Sequence, residues 1–186
     1  MPVMNTDGAK QADGQPRRPL PCPHSGDLRR HRRKEGHGCW FVTKRLFPRG
    51  GVLAPGHRRV VVDALLRYRR NGDIDLAAFV VMPDHWHALV GTREGETIAE
   101  FMRKLDRWVS RNTQAGLRAC GCGWQEGFYE TLVRSGRQFT FIRHYMEENP
   151  VRKGLALRAC DWEWSSAHPS HQSAVQAEWS RVLPEL

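Results

Sequence analysis

The sequence predicts an α+β fold, a ferredoxin-like βαββαβ sandwich with an added C-terminal helix. Two observations predict it. Segments rich in apolar and β-branched residues alternate with segments whose apolar residues recur at helical spacing, in the order strand, helix, strand, strand, helix, strand, helix. The two consecutive strands are joined by the short turn Met82-Pro83-Asp84, which makes them a β-hairpin.

The first half of the chain supplies three of the strands. Aromatic and β-branched residues indicate a strand at Cys39–Leu46, and the apolar run at 74–82 indicates a buried strand whose hairpin partner is 85–91. Between them, a helix follows Pro55 and ends at Asn71-Gly-Asp. Its apolar stripe is Val61, Ala64, Leu65 and Tyr68.

The second half supplies the remaining strand and two helices. Thr97 and Glu100 form a capping-box pattern at the start of a helix over 97–116, and a strand is expected within 124–134. The final helix is predicted over 137–149, where Pro150 stops it because a residue before proline resists the α conformation.

Length and charge indicate one domain with a polyanionic partner. The chain has 186 residues, a net charge of +9 and a sequence pI near 9.9, which favours nucleic acid over an acidic small molecule. Residues 1–36 contain few large apolar side chains, so we expect a disordered basic tail there. The folded domain is predicted over 37–170 and a C-terminal tail over 171–186.

Cysteine usage and hydropathy predict a cytoplasmic protein without a membrane segment. No apolar run approaches the ~18 to 20 residues that cross a bilayer. The cysteines lack paired CxxC spacing, which fits free thiols in a reducing compartment, although Cys120-Gly-Cys122 could hold a metal instead of forming a plain loop. The five cysteines are Cys22, Cys39, Cys120, Cys122 and Cys160.

The motif His85-Trp86-His87 provides a candidate metal site. Alternate side chains of a strand point to the same face, so the two imidazoles project together and Trp86 projects to the opposite face. Two neutral imidazoles can hold a divalent cation and leave coordination positions open for phosphate oxygens. Spacing alone does not separate this interpretation from a pair of structural histidines.

Two distant motifs, "MPDHWH" ending at His87 and "YMEENPVRKGL" beginning at Tyr145, resemble the REP-associated tyrosine transposases. These belong to the single-tyrosine HUH nucleases, which are named for a histidine, a bulky apolar residue and a second histidine. The likeness extends over about 39–166 and includes "WQEGFYETLVR" and "DWEWSS". One departure is Glu130-Thr131, where many relatives have an acidic residue followed by histidine.

This resemblance implies a metal-dependent single-stranded DNA endonuclease and transposase, with the catalytic domain at 37–170. Tyr145 is the implied nucleophile, His85 and His87 are the implied ligands of Mg²⁺ or Mn²⁺, and Asn149 is either a third ligand or a helix cap. The enzyme would cut and rejoin single-stranded or hairpin DNA through a covalent 5′-phosphotyrosine. A phenol ionises near ~10, several units below an alkyl alcohol, so tyrosine can both attack phosphorus and leave it again.

Basic residues near the final helix are the expected DNA contacts, and the outer face of the helix at 97–116 is a second, weaker candidate because such faces are usually only solvated. Of the other tyrosines, Tyr68 is expected in the core, whereas Tyr129 stays a competitor for the nucleophile. The expected DNA contacts are Arg134, Arg143, His144, Arg152, Lys153, Arg103, Lys104 and Arg107.

Two alternatives remain at this point: a domesticated DNA-binding protein that has lost turnover, and a metal hydrolase that activates water at the histidine pair. No organic cofactor is expected, and the protein is predicted to be a monomer or a homodimer.

Overall fold

A computed structural model describes residues 38–48 and 51–175. The predicted tail at 1–36 and the last part of the chain, 176–186, lie outside the described residues. The elements, in chain order, are β1 (Gly38–Phe47), α1 (Pro55–Arg70), β2 (Ile74–Val81), β3 (His85–Thr92), α2 (Ile98–Ala119), β4 (Gly123–Trp124), β5 (Tyr129–Val133), α3 (Gly136–Glu147), α4 (Asn149–Arg152), a 3₁₀ turn (Ala159–Asp161) and α5 (Pro169–Gln172).

The sheet confirms the predicted α+β, ferredoxin-like class. Its principal strands lie in the order β2-β3-β1-β5 and all neighbours are antiparallel. The short strand β4 pairs with the end of β1. Because β1 lies between β3 and β5, residues from three strands that are far apart in sequence meet in one row across the sheet.

Each face of the sheet has its own core. On β1, Trp40, Val42 and Leu46 point into the core that the sheet forms with α1 and α2. Cys39, at the opposite parity, joins the second core, to which α3 contributes Phe139, Ile142 and Met146. Helix α3 therefore adds a third layer, and it lies mainly over β2 and β3.

Helix boundaries follow their end signals. The predicted capping box is present: the Glu100 N–H donates to Thr97 Oγ1 at 3.3 Å, and the Thr97 N–H donates to Glu100 Oε2 at 2.9 Å. The prediction that the last helix runs to Asn149 is corrected, because α3 ends at Glu147. Pro150 instead lies in the first turn of α4, where its missing N–H leaves no helical hydrogen bond unmade.

The segment after α4 closes the fold against the edge strand β2. The Trp162 indole N–H donates to the Val81 carbonyl at 3.0 Å, and Ser165 forms a β-bridge with Val80. The folded region continues past residue 170, since His171 is buried with its ring 5.5 Å from that of Phe79. None of the helices within 38–48 and 51–175 is long and apolar enough to cross a membrane.

A charged pair lies between β1 and α2. Lys44, with 5% of its side chain exposed, places Nζ 2.7 Å from Asp106 Oδ2. Burial raises the pKa of Asp106 and the ammonium opposes that shift. Replacement of Asp106 by Asn leaves a buried ammonium without its carboxylate, so we expect a loss of about 3 kcal/mol in the free energy of unfolding.

Urea denaturation measures this loss, with Lys44→Met as the matched variant. Because the Asp106 side chain is 31% exposed, water can solvate its charge when the ammonium is removed. We therefore expect Lys44→Met to cost less than Asp106→Asn. Equal losses in the two variants would contradict the assignment of the cost to the buried ammonium.

Candidate active site

The two histidines of β3 lie side by side on the face of the sheet that carries α3. His85 and His87 are each 5% exposed, and their ring centroids are 4.6 Å apart. His85 Nδ1 lies 2.6 Å from Asp84 Oδ1, and His87 Nδ1 lies 2.7 Å from Thr43 Oγ1. The Asp84 carboxylate accepts from Nδ1–H of His85. In the tautomer in which Thr43 Oγ1 likewise accepts from Nδ1–H of His87, Nε2 of each ring is the nitrogen that can bind a cation.

The surroundings of both rings favour the neutral form that metal binding requires. Burial lowers the pKa of His85, although the neighbouring Asp84 carboxylate opposes the shift. Burial also holds the pKa of His87 well below its ordinary value, with further lowering by His85 and by the Arg45 guanidinium. Neutral imidazoles keep the lone pair that a cation needs.

The hairpin turn and the strand register position these partners. The Met82 N–H donates to the His85 carbonyl at 2.8 Å, and the Leu46 N–H donates to the Asp84 carbonyl at 2.9 Å. The turn is thus tied to the end of β1, which holds Asp84 beside His85. Thr43 is the cross-strand partner of His87, so its hydroxyl is brought to the ring by the pairing of β1 with β3.

Helix α3 brings Tyr145 to the histidine pair. The ring centroids of Tyr145 and His87 are 6.2 Å apart, and the phenol is 36% exposed. The Arg152 guanidinium carbon lies 5.2 Å from the centroid of the Tyr145 ring. Asn149, the first residue of α4, is 5% exposed, and one helical turn of sequence separates it from Tyr145.

Positive charge surrounds this cluster. Arg45 Nη1 lies 3.9 Å from Asp84 Oδ2, and nearly half of the Arg45 side chain is exposed. Lys153 is close enough to His85 to lower the pKa of its imidazole. Sequence analysis identified Lys153 but missed Arg45, Thr43 and Asp84. Strand alternation puts Arg45 and Thr43 on one face of β1. It does not tell whether this is the face of the sheet on which His85 and His87 of β3 lie.

The other basic residues near α3 differ in how they are placed. Arg134 and His144 are exposed. Arg143 lies about 200° around the helix from Tyr145, and its Nε donates to Glu147 Oε1 at 3.0 Å. The structure therefore brings Arg152 and Lys153 to the tyrosine and the histidines, and it turns Arg143 away from them.

The second set of predicted DNA contacts, Arg103, Lys104 and Arg107, lies on α2, which packs against the opposite face of the sheet. Two of these cations have acidic neighbours. Lys104 Nζ is 2.7 Å from Glu96 Oε1, and Arg103 Nη2 is 3.8 Å from Glu100 Oε1. The structure does not bring this set together with the histidine pair.

The competing nucleophiles are distributed around the molecule. Tyr68 is partly buried and packs edge-on against Phe101 at 5.6 Å, on the core that lies on the α1 and α2 side, where the sequence predicts it. Tyr129 is 43% exposed on β5 and shares the histidine face.

Burial raises the pKa of the Cys39 thiol to about 12, which keeps it protonated and unreactive.

A cation at the histidine pair would need an oxygen ligand in addition. Within residues 38–48 and 51–175, no three His, Cys, Asp or Glu side chains converge as a metal site. The alternative site at Cys120-Gly-Cys122 thus has no third ligand of these types in that part of the chain. Asn149 and phosphate oxygens of a substrate have the chemistry to complete a site that begins with two imidazoles.

Removal of the Thr43 hydroxyl tests how the His87 ring is held. The variant Thr43→Val keeps the volume of the side chain but leaves Nδ1 of His87 without its 2.7 Å partner. Loss of such a partner typically costs about 10- to 100-fold in metal affinity. We expect this decrease in a Mn²⁺ titration of the protein, whereas Thr43→Ser, which keeps the hydroxyl, stays within about threefold of wild type. Equal affinities for Val and Ser would contradict the role of the hydroxyl.

Comparison with known proteins defines the family. Residues 42–149 match the family model described as "Transposase IS200 like". The chain belongs to this family of IS200-like transposases, which are DNA-processing enzymes. The resemblance predicted from the histidine and tyrosine motifs is therefore confirmed.

Individual relatives agree with this family. The chain is 29% identical over 133 residues to the REP-associated tyrosine transposase of Escherichia coli K12. This alignment covers 70% of this chain and 77% of the relative. It is also 29% identical over 124 residues to a protein of Haemophilus influenzae named as a putative REP-associated tyrosine transposase. That alignment covers 60% of this chain and 69% of the relative. A solved REP-associated tyrosine transposase bound to a REP hairpin has the same fold, with a TM-score of 0.61 at 24% identity over 78% of this chain and 86% of that one.

Proposed function

We propose that this protein cleaves and rejoins single-stranded or hairpin DNA through a covalent 5′-phosphotyrosine, with Tyr145 as the nucleophile. The observation that carries the proposal is the position of the Tyr145 ring, 6.2 Å from that of His87 and 36% exposed to solvent. A phenol next to a pair of cation-binding imidazoles is suited to attack a phosphate that the same pair holds.

His85 and His87 are the proposed metal ligands, with Asn149 as a candidate third. Their fit to a cation rests on three properties of the rings: Nδ1 of each ring has a hydrogen-bond partner, Nε2 is the nitrogen left to bind a metal, and the lowered pKa values favour the neutral rings. Mg²⁺ or Mn²⁺, the ions suited to phosphate chemistry, would withdraw charge from the scissile phosphate and orient it.

The protein's own groups carry the proposed cleavage step. Tyr145 Oη attacks phosphorus, so that the new O–P bond forms as the bond from phosphorus to the 3′ oxygen breaks. The phenol gives up its proton to solvent, and the departing 3′ oxygen takes up a proton to become a hydroxyl. Arg152 and Lys153 lie next to this cluster and would neutralise the flanking phosphates. The reverse attack by a 3′-hydroxyl rejoins DNA without an external energy source.

The relatives indicate the kind of substrate. One solved relative is bound to a REP hairpin, and two relatives carry REP-associated transposase names. We infer a hairpin with single-stranded flanks as the substrate here, and we assign the activity to the domain predicted over 37–170. The net charge of +9 is consistent with such a polyanion.

The proposal is tested by trapping the intermediate. The full chain is incubated with Mn²⁺ and end-labelled hairpin oligonucleotides copied from the inverted repeats that flank its gene, and the products are separated on a denaturing gel. We expect label that migrates with the protein and requires the cation. Binding without cleavage would instead favour a DNA-binding protein that has lost turnover, and cleavage without an adduct would favour a hydrolase that activates water.

A further inference from the structure

Tyr129 is an aromatic side chain on the face of the candidate active site that the proposed cleavage step does not use. It is 43% exposed, more than the 36% of Tyr145. Packing explains Tyr68, the third tyrosine, because its ring is partly buried against the core residue Phe101. No such burial accounts for the ring of Tyr129, which sits at the end of the edge strand β5.

The strand register fixes where Tyr129 lies relative to the histidine pair. Tyr129 is the cross-strand partner of Thr43, and Thr43 is the cross-strand partner of His87. The three residues form one row across β5, β1 and β3 and project from the same face. Neighbouring strands are about 4.8 Å apart, so the backbone of Tyr129 lies about 10 Å from that of His87.

The turn before β5 holds this tyrosine close to the charged edge of the site. The Gln125 N–H donates to the Arg45 carbonyl at 2.9 Å, which ties the turn to β1. The Gln125 side-chain amide in turn donates to the Tyr129 hydroxyl at 3.4 Å. Arg45 projects from the same face of β1 as Thr43, is the cross-strand partner of His85, and places Nη1 3.9 Å from Asp84 Oδ2.

An exposed aromatic ring next to cations is the arrangement by which proteins bind single-stranded DNA. The cations neutralise the backbone while an unpaired base stacks on the ring. Arg45 and Tyr129 offer the two parts of this arrangement on one flank of the site. A strand whose phosphate sits at the histidine pair and which runs towards β5 would bring a neighbouring base over the Tyr129 ring.

We propose that Tyr129 is a stacking platform for an unpaired nucleobase beside the cleaved phosphate, and that it positions the strand without taking part in bond making. This inference rests on the proposed DNA-cleaving function. It also gives Tyr129 a role that differs from that of a second nucleophile, because stacking needs the ring and nucleophilic attack needs the hydroxyl.

Equilibrium binding separates these roles. The Tyr145→Phe protein, which cannot form an adduct, is titrated against a fluorescently labelled single-stranded oligonucleotide of mixed sequence, and the anisotropy is measured. In this background we expect Tyr129→Leu to weaken binding by about 5- to 150-fold and Tyr129→Phe to stay within about twofold, since phenylalanine keeps the ring. Unchanged binding by the Leu variant, or equal weakening in both variants, would overturn the proposal.

A second measurement uses the protein without substitutions at position 129. The same oligonucleotide is made with 5-iodouracil in place of thymine, irradiated in complex with the protein, and the crosslinked residue is identified by mass spectrometry. We expect the crosslink at Tyr129, and crosslinks confined to other residues would overturn the platform. Neither measurement depends on cleavage, so a failure of the proposed cleavage leaves both results interpretable.

Discussion

Replacing Tyr145 by phenylalanine is expected to abolish formation of the covalent protein–DNA adduct, by on the order of 10⁴-fold or more, because the variant lacks the attacking oxygen. The ring itself is retained, so its approach to His87 and its contact with the Arg152 guanidinium persist. We therefore expect DNA affinity within about twofold of wild type. Adduct formation on a denaturing gel and anisotropy with the same labelled hairpin give the two quantities.

The matched control is Tyr129→Phe, which removes a phenol hydroxyl from the same face of the sheet. This variant should still form the adduct, because the Tyr129 hydroxyl has no role in the proposed attack. An adduct that disappears in Tyr129→Phe and persists in Tyr145→Phe would show that Tyr129 is the nucleophile and that Tyr145 is not. Cleavage that survives in Tyr145→Phe without any adduct would show that water is the nucleophile.

Removing either imidazole is expected to lower cleavage by on the order of 10³-fold, because a cation at this pair would supply several kcal/mol of charge stabilisation to the scissile phosphate. The variants are His85→Ala and His87→Ala, measured as adduct formation at saturating Mn²⁺. The two rings are proposed to bind one ion, so removing the second ring should add little once the first is gone. We therefore expect the double variant to lose about as much cleavage activity as either single variant, and not the product of the two losses.

His168→Ala is the control for these variants. His168 caps the short helix α5, far in sequence from the hairpin. The His168→Ala protein should therefore retain full adduct formation. DNA affinity should also remain within about threefold in the histidine variants, because phosphate binding depends mainly on the surrounding cations. A parallel loss of affinity and cleavage in His85→Ala and His87→Ala would contradict a ligand role and would indicate structural histidines.

Local sequence patterns predicted much of the fold. Strand alternation placed His85 and His87 on one face, and the Thr97 capping box fixed the start of α2. These features depend on residues within a few positions of each other, whose geometry is set by the period of the strand or the helix. The end of the long helix just before Pro150 is such a feature too, but the sequence did not reveal that a new helix, α4, begins at Asn149 and includes Pro150.

The groups that support the histidines could not be predicted in the same way. Thr43 reaches His87 only because β1 pairs with β3 in one register, across 44 positions of sequence. A shift of that register by one residue would turn Thr43 and Arg45 to the other face of the sheet. The faces of helices pose the same difficulty: the cations of α2 were apparent in the sequence, but their position opposite the histidine pair follows from the packing of α2.

The most direct test of the central claim, that the phenol on α3 attacks the phosphate held at the histidine pair, is to identify the amino acid linked to DNA. The trapped adduct is digested with nuclease and trypsin, and the peptides are sequenced by mass spectrometry. We predict a nucleotide phosphate on Tyr145 within the tryptic peptide that spans 144–152, in which it is the only tyrosine. A phosphate on Tyr129, or on a residue other than tyrosine, would contradict the account.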